Sequence, residues 1–245
     1  MQIKDYQIVI LGLLIALGSI FSTYVLSKSI VEFQKLQNQT IRVTGSASEK
    51  ITADSASWSF NIRTKQPTLK QGYARIKSDS EKVKKFLIAN DIEEKNINFA
   101  AINSYEENRR FPNGSISNDI DHYNVSVYVT VKSNDINKLT EISKKVDELI
   151  QQDIDLSVND VEYFVSNLDD IKVKMIAAAS KNAKERAKSL VKGTNGKIGV
   201  MTSAKVGVFQ IVPVDSTEVN DYGINDTSSI EKKVVSTVTA TFTVK

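Results

Sequence analysis

The sequence predicts an α+β protein in which antiparallel sheets carry helices packed on one face, preceded by a single N-terminal transmembrane helix. Three observations indicate this class. An uncharged apolar segment runs from Ile8 to Leu26, several later segments repeat apolar residues at every second position, and three others repeat them every three or four positions. These patterns are typical of a membrane-spanning helix, of half-buried strands and of amphipathic helices, respectively. Short strands interspersed with helices along one chain predict the α+β class.

The apolar segment is long enough to cross a bilayer. As a helix, its 19 residues extend about 28 Å, close to the thickness of the hydrocarbon core. A cleaved secretory signal is the alternative, but signal cores usually have about 7–15 apolar residues and no small-x-small cleavage site follows here. We therefore predict an uncleaved anchor at residues 1–27 of a single-pass protein of the bacterial inner membrane. The short N-terminal flank and the large Asn- and Thr-rich body favour a C-terminal domain in the periplasm or outside the cell.

Residues 28–40 form a stem, which could be a continuation of the anchor helix or a short tether. The apolar period becomes two from Ile41 onward and persists to Ile62, with an interruption at Gly45. This alternation predicts a pair of antiparallel strands with one buried face. Because Trp58 lies on the apolar side of the second strand, we expect it in the core rather than at a ligand site.

Three helices are predicted beyond the anchor. The first begins at Thr68 and the second is capped by Asp135. The third follows Asp170 and is expected to end at Gly193 and Gly196. One side of this third helix carries, at every fourth position, Met175, Ala179, Ala183, Ala187 and Val191. Alanine allows a close approach, so we expect this helix to lie tightly on the sheet.

The remaining strands are predicted over residues 97–105, 123–132, 158–165, 198–214 and 233–245. Two polar loops separate them. Residues 106–121 are predicted to form a long hairpin tip built on Pro112, Asn113 and Gly114, and residues 215–230 form the second loop. The folded body, residues 41–245, could divide into a smaller subdomain at 41–122 and a larger one at 123–245, although no change of composition marks a linker.

Composition and motifs exclude several kinds of chemistry. The chain has no cysteine, one histidine and a net charge of +3, without a block of like charge. Disulfides, cysteine nucleophiles and basic nucleic-acid tails are therefore excluded, and no phosphate-binding glycine loop or serine nucleophile elbow occurs. His122 stands between Asp121 and Tyr123. It could hold a metal only with further ligands such as Glu106 and Glu107, so we expect no metal, no cofactor and no catalytic residue.

Several segments follow one another in a familiar order. The body opens with IRVTGSA from Ile41 and ADSASWSF from Ala53, and the row YNVSVYVTV begins at Tyr123. Later come AAASKNAKERAKSL from Ala177 and GKIGV from Gly196. In order and spacing these segments resemble the SIMPL domain family, formerly domain of unknown function 541, which includes bacterial periplasmic immunogenic proteins. The resemblance covers residues 39–245.

The resemblance implies an envelope protein that has no catalytic residues and forms ring-like homo-oligomers. Family members are linked to oxidative or envelope stress. A eukaryotic branch binds a signalling kinase, but this role is not implied for an anchored, cysteine-free chain.

We therefore expect a structural or interaction protein, held in the membrane by residues 8–26, that assembles into a homo-oligomer in envelope or oxidative stress protection. Isolated apolar residues in the two polar loops are candidate oligomer contacts: Phe111, Ile116, Tyr222 and Ile224. Mobile loops with incidental apolar residues would show the same pattern. The alternative function is a periplasmic module that binds a ligand or a peptide. No nucleic acid and no known small-molecule ligand is expected as a partner.

Overall fold

The computed structural model describes the backbone of residues 2–244 and begins with one long helix, α1 (Gln2–Asn38). Within α1, the segment Ile10–Gln34 has a mean hydropathy of 2.0, and its apolar window is not buried against the rest of the protein. Its hydroxyl groups bond to the helix backbone, as where Thr23 donates to the Ser19 carbonyl oxygen at 2.8 Å. This suits surroundings that contain no water. The helix could therefore span a membrane, and the stem is its continuation.

The elements after α1 alternate between strands and helices, which confirms the α+β class. The helices are α2 (Leu69–Ala89), α3 (Ile136–Lys144), α4 (Asp147–Ile150) and α5 (Leu168–Lys192), with a 3₁₀ turn at Glu94–Asn96. The strands are β1 (Thr40–Thr52), β2 (Ser55–Gln66), β3 (Ile97–Phe99), β4 (Asn103–Arg110), β5 (Ile116–Ser133), β6 (Asp155–Val158), β7 (Glu162–Phe164), β8 (Ile198–Val206), β9 (Gln210–Pro213), β10 (Ile224–Asn225) and β11 (Glu231–Val244).

The chain divides into two compact units that interleave along the sequence. The first unit contains the chain up to Ser48, residues 172–209 and the chain from Val235 onward. The second unit contains residues 49–171 and 210–234. Neither unit is a continuous segment, and the boundary at residues 122 and 123 that the sequence suggested falls inside β5.

The second unit is built on a six-stranded sheet with β2 and β5 at its centre. These two strands pair antiparallel from Ala56 opposite Ser133 to Gln66 opposite Tyr123. Strands β6 and β7 pair with the other side of β2, whereas β3 and β4 pair with the other side of β5. Helices α2 and α3 pack on one face of this sheet. The core between these layers includes Trp58, which is fully buried, so the prediction for this residue is confirmed.

Side-chain caps fix the starts of the helices on this face. The Thr68 hydroxyl accepts a hydrogen bond from the Gln71 backbone N–H at 3.3 Å, and the Asp135 carboxylate accepts one from the Lys138 N–H at 3.0 Å. Each satisfies a donor that the first helical turn leaves without a partner. Both predicted helix starts are therefore confirmed.

In the first unit, α5 lies directly on β1 and β11. The buried side of α5 consists of the five residues predicted for it, Met175, Ala179, Ala183, Ala187 and Val191. Two of these alanines pack against Val43, Ala240 and Phe242. The approach is so close that a Cβ atom at Gly45 would lie 2.2 Å from the Ala183 backbone nitrogen. The expected tight packing of this helix on the sheet is confirmed.

The ends of the folded body meet at the base of α1. Gln39, the residue between α1 and β1, accepts a backbone hydrogen bond from the Val244 N–H at 2.8 Å. The last residues of β11 therefore lie beside the start of β1.

The predicted pairing of the first two strands was wrong. Strand β1 pairs with β11, whereas β2 pairs with β5, β6 and β7 in a different sheet. The chain turns between them, where the Ala53 N–H donates to the Ile230 carbonyl oxygen at 2.9 Å and the Asp54 carboxylate accepts from the Ser166 N–H at 3.0 Å. Alternation of apolar residues indicates which face of a strand is buried, but it does not identify the neighbouring strand.

Other boundaries also differ from the prediction. The strands expected at 97–105, 158–165 and 198–214 are each interrupted, at residues 100–102, 159–161 and 207–209. Residues 106–121 are mostly strand, because β4 and β5 continue to a short turn in which Gly114 adopts a φ of 84°. Past the end of α5, the left-handed residue is Asn195, with a φ of 57°, rather than either of the predicted glycines. Asparagine is the non-glycine residue that most readily takes this conformation.

Candidate functional site

Strand β8 is an open edge of the sheet in the first unit. It pairs antiparallel with β11, with Val206 opposite Val238, Ala204 opposite Ala240 and Met201 opposite Phe242. Within residues 2–244, no strand pairs with its other side. Alternate backbone N–H and C=O groups along this side therefore have no strand partner, and the alternation is interrupted at Thr202, where the register with β11 shifts by one residue.

The side chains of β8 from Val200 to Val206 are exposed, although three of them lie opposite buried residues of β11. Phe242 is 4% exposed, but Met201 beside it is 53% exposed; Val238 is 1% exposed, but Val206 beside it is 42% exposed. Val200 is 72% exposed. The difference arises because the buried side of α5 packs on β1 and β11 and, within β8, is packed against only by Ile198, so that the strand is uncovered from Val200 onward. A long apolar edge of this kind is a template for pairing with another strand.

Strand β1, on the opposite edge of this sheet, is covered instead. The Asn182 side-chain oxygen accepts from the Ser46 backbone N–H at 3.1 Å, and Arg186 donates to the Thr44 carbonyl oxygen at 3.0 Å. Thr44 and Ser46 are two residues apart, so their backbone groups point to the same side of the strand. Asn182 and Arg186 are one helical turn apart on α5, so their side chains together bond to the backbone groups in the middle of this edge.

The four residues predicted as oligomer contacts lie in the second unit. Phe111 and Ile116 flank the turn between β4 and β5 and are 50% and 62% exposed, while Tyr222 is 96% exposed in the second polar loop. Ile224 is only partly exposed because it belongs to β10, which pairs with β9. The structure thus brings Phe111 and Ile116 together at one tip. Their role as contacts stays a prediction.

Sequence reasoning missed the open edge of β8. Its apolar residues looked like part of one longer buried strand, and only the order of strands in the sheet shows which strand lies at an edge. One available signal was charge, because β8 contains a single charged residue, Lys205, whereas edge strands are usually protected by several charges or by proline.

A buried ion pair lies in the second unit. Lys232 is 1% exposed and donates to the backbone carbonyl oxygen of Asp226, and its Nζ lies 3.7 Å from the Asp226 carboxylate. Burial opposes ionisation of Asp226, but hydrogen bonds from Ser229 and Ser228 and the charge of Lys232 outweigh it and lower the pKa to about 2. Burial lowers the pKa of Lys232. The two groups satisfy each other, so the pair acts as a structural contact.

His122 has local partners only. Its Nδ1 atom lies 2.9 Å from a carboxylate oxygen of Asp121, and Glu107 stands opposite it on β4. In the part of the chain that the structure describes, no three His, Cys, Asp or Glu side chains are grouped as metal ligands.

Comparison with known proteins adds one match. A family model described as SIMPL, a protein of unknown function (DUF541), matches residues 41–245. No curated protein matches the chain. The family model covers the whole folded body from β1 onward, in agreement with the order of segments in the sequence. The chain therefore belongs to the SIMPL family.

Proposed function

We propose that this protein is a non-catalytic, membrane-anchored interaction protein that assembles into a homo-oligomer, and that the first contact between copies is the pairing of β8 with β8 of a second copy. The open apolar edge of β8 is the observation that carries this proposal. In this proposal, α1 holds the protein in a bacterial inner membrane with the body in the periplasm or outside the cell. The assembly contributes to envelope or oxidative stress protection.

Pairing of two β8 strands would be symmetric. An antiparallel strand can pair with an identical strand about a two-fold axis near its middle, here close to Thr202, which gives the self-complementary contact of most homodimers. The sheets of the two copies would then join across their β8 edges into one continuous sheet. The contact would satisfy the backbone groups of β8 and cover Val200, Met201 and Val206.

The two edges of the sheet differ in a way that favours β8 over β1. The middle of β1 already bonds to Asn182 and Arg186, so a second copy would have to displace these side chains to pair there. Pairing at β8 displaces no hydrogen bond of the described residues. An anchor also confines copies to one membrane and raises their effective concentration, which strengthens a weak contact without any further interaction.

The absence of cysteine makes this proposal directly testable. Single cysteines are introduced at positions 200–204 of the full chain, and each variant is oxidised mildly in detergent. We expect Thr202→Cys, nearest the axis, to give the most disulfide-linked dimer, because residues directly opposite in antiparallel strands have Cβ atoms within reach of a disulfide. Ser48→Cys, at an exposed position of β1, is the matched control and should stay monomeric.

A second variant tests whether the contact governs assembly. Val200→Lys places a charge on the exposed edge and should weaken dimerisation about tenfold or more while leaving the far-ultraviolet circular dichroism spectrum unchanged. The measurement is the mass of the full chain in detergent by sedimentation equilibrium. Equal cross-linking at positions 202 and 48, or an unchanged dimer in Val200→Lys, would remove β8 as the contact.

A further inference from the structure

We propose that the solvent face of the sheet in the second unit binds a neutral oligosaccharide chain. This polar face is defined as the outward side chains of β2 from Ser59 to Lys65 and of β5 from His122 to Tyr128, with the neighbouring side chains of β4 and β6. It encloses a concave space of about 540 Å³, within the range of ligand sites. The proposal concerns the second unit and does not depend on pairing through β8.

The register of the strands creates this face. Phe60, Ile62 and Val127 are buried under the helices, so the residues between them on β2 and β5 point to solvent. Pairing then sets Asn61 opposite Tyr128 and Arg63 opposite Ser126. The result is a surface of amide, hydroxyl and charged groups rather than the apolar lining of most small-molecule pockets.

The charges on this face balance one another. Arg63 and Lys65 carry positive charge, whereas Glu107 and Asp155 carry negative charge, and Arg63 lies 2.9 Å from Asp155. A face with no excess of either sign does not attract a phosphorylated or otherwise strongly charged ligand. Charge complementarity therefore favours an uncharged ligand.

Two asparagines supply hydrogen-bonding groups that the protein does not use. Within the described residues, the side chains of Asn61 and Asn124 make no hydrogen bond, although both line the concave space. Each amide offers two donors and one acceptor, which matches the mixed donor and acceptor character of sugar hydroxyl groups. Two such amides, set about 13 Å apart along the face by the strand register, favour an extended ligand rich in hydroxyl groups.

Two exposed tyrosines stand at different positions along this face. Tyr105 on β4 is 60% exposed, and Tyr128 on β5 is 44% exposed. The Tyr128 hydroxyl donates to the Ser59 hydroxyl at 2.6 Å and accepts from the Asn159 amide at 3.3 Å, which holds the ring in place. The strand register puts the two tyrosines about 14 Å apart. Aromatic rings pack against the C–H faces of sugar rings, so this separation suits a chain of several sugars.

An extended peptide is the main competing ligand, and the face fits it less well. Peptides that add to sheets do so at an edge, where the backbone of the sheet has unused N–H and C=O groups. On this face, β5 is bonded to both β2 and β4, and β2 is bonded to β5 along its length and to β6 from Phe60 to Arg63, so most of these backbone groups are already used. Recognition must therefore come from side chains, whose chemistry favours hydroxyl groups.

The test is isothermal titration calorimetry of the full chain, in a detergent without a sugar headgroup, with chitohexaose and cellohexaose as probes. We expect at least one of these neutral hexasaccharides to bind, with little change when salt is raised. Tyr105→Ala should weaken binding about tenfold or more, while Tyr105→Phe, which keeps the ring, should stay within about twofold. Tyr222→Ala removes a tyrosine that is more exposed than Tyr105 and lies outside this face, and it should leave sugar binding unchanged.

Several results would overturn the proposal. Absence of heat with both hexasaccharides would do so, as would equal weakening by Tyr105→Ala and Tyr222→Ala. A hexaglycine peptide that binds more tightly than both sugars would assign the face to peptides. Binding of an anionic saccharide that disappears at high salt would show that Arg63 and Lys65 dominate, contrary to a neutral ligand.

Discussion

Replacing Gly45 by alanine should loosen α5 from the sheet. The new Cβ atom would lie 2.2 Å from the Ala183 nitrogen, 2.3 Å from the Ala179 carbonyl oxygen and 2.7 Å from the Ala183 Cα. Since non-bonded carbon atoms pack at about 3.5–4.0 Å, the helix must retreat by roughly 1 Å at this point. The neighbours are backbone atoms, so no change of rotamer relieves the overlap.

Overpacking of this kind destabilises a protein by about 1–3 kcal/mol. We expect the upper part of this range, because a shift of α5 also separates the buried alanines from Val43, Ala240 and Phe242. The assay is hydrogen exchange measured by mass spectrometry on the full chain in detergent. Where exchange follows local opening, amides of α5 should exchange roughly 30- to 150-fold faster in Gly45→Ala.

Two further variants make this reasoning refutable. A Cβ atom at Gly193 would have only the Leu190 carbonyl oxygen nearby, at 3.7 Å, so Gly193→Ala should leave exchange in α5 unchanged. The double variant Gly45→Ala with Ala183→Gly should not recover the wild-type rate, because the overlap involves backbone atoms of Ala183. Normal exchange in Gly45→Ala, or recovery in the double variant, would show that α5 does not lie as close to β1 as described.

Three further predictions concern polar contacts. The pKa of Asp226 is lowered to about 2, so the stability that its carboxylate contributes is present above pH 4 and should disappear as pH falls towards 2. Urea unfolding should show that the free energy of unfolding falls by about 2 kcal/mol over this range, whereas Asp226→Asn should not show this fall. Hydrogen bonds from Ser166 lower the pKa of Asp54. Asp54→Ala should therefore lower the free energy of unfolding at pH 7 by at most about 1 kcal/mol, because solvent weakens these exposed hydrogen bonds. The difference from wild type should vanish well below pH 3.9, and a difference that stays constant with pH would contradict this. Asn182→Ala combined with Arg186→Ala uncovers the middle of β1 and should raise the mass found by light scattering, whereas an unchanged mass would mean that these side chains do not protect the edge.

Local features of the fold could be predicted because their causes lie within a few residues. Thr68 and Asp135 each accept a hydrogen bond from a backbone N–H three residues downstream, and the buried side of α5 repeats every fourth position, so neighbouring residues contain the whole signal. The burial of Trp58 follows from the alternation along its own strand. These predictions needed no knowledge of other parts of the chain.

The arrangement of strands could not be predicted in the same way. The alternation from Ile41 to Ile62 is interrupted at Gly45, yet the chain changes sheets at Ala53 and Asp54, because the partners of each strand come from distant segments such as residues 231–244. For the same reason, the exposed edge of β8 and the polar face opposite α2 and α3 depend on which strands lie side by side. The residues of these two candidate sites follow no distinctive sequence pattern, and only the order of the strands shows that they lie at an edge or on one face of a sheet.

The hydrogen bond between Val244 and Gln39 has a practical consequence for experiments on the intact protein. It fastens Val244 next to the end of α1, so a fluorophore or an affinity label fused after Lys245 would begin beside that end of the helix. If residues 8–26 span a membrane, the 12 helical residues after Leu26 would hold such a label about 18 Å from the bilayer core. Deleting the last residues of β11 would remove this hydrogen bond and weaken the pairing of β11 with β1 near the end of α1.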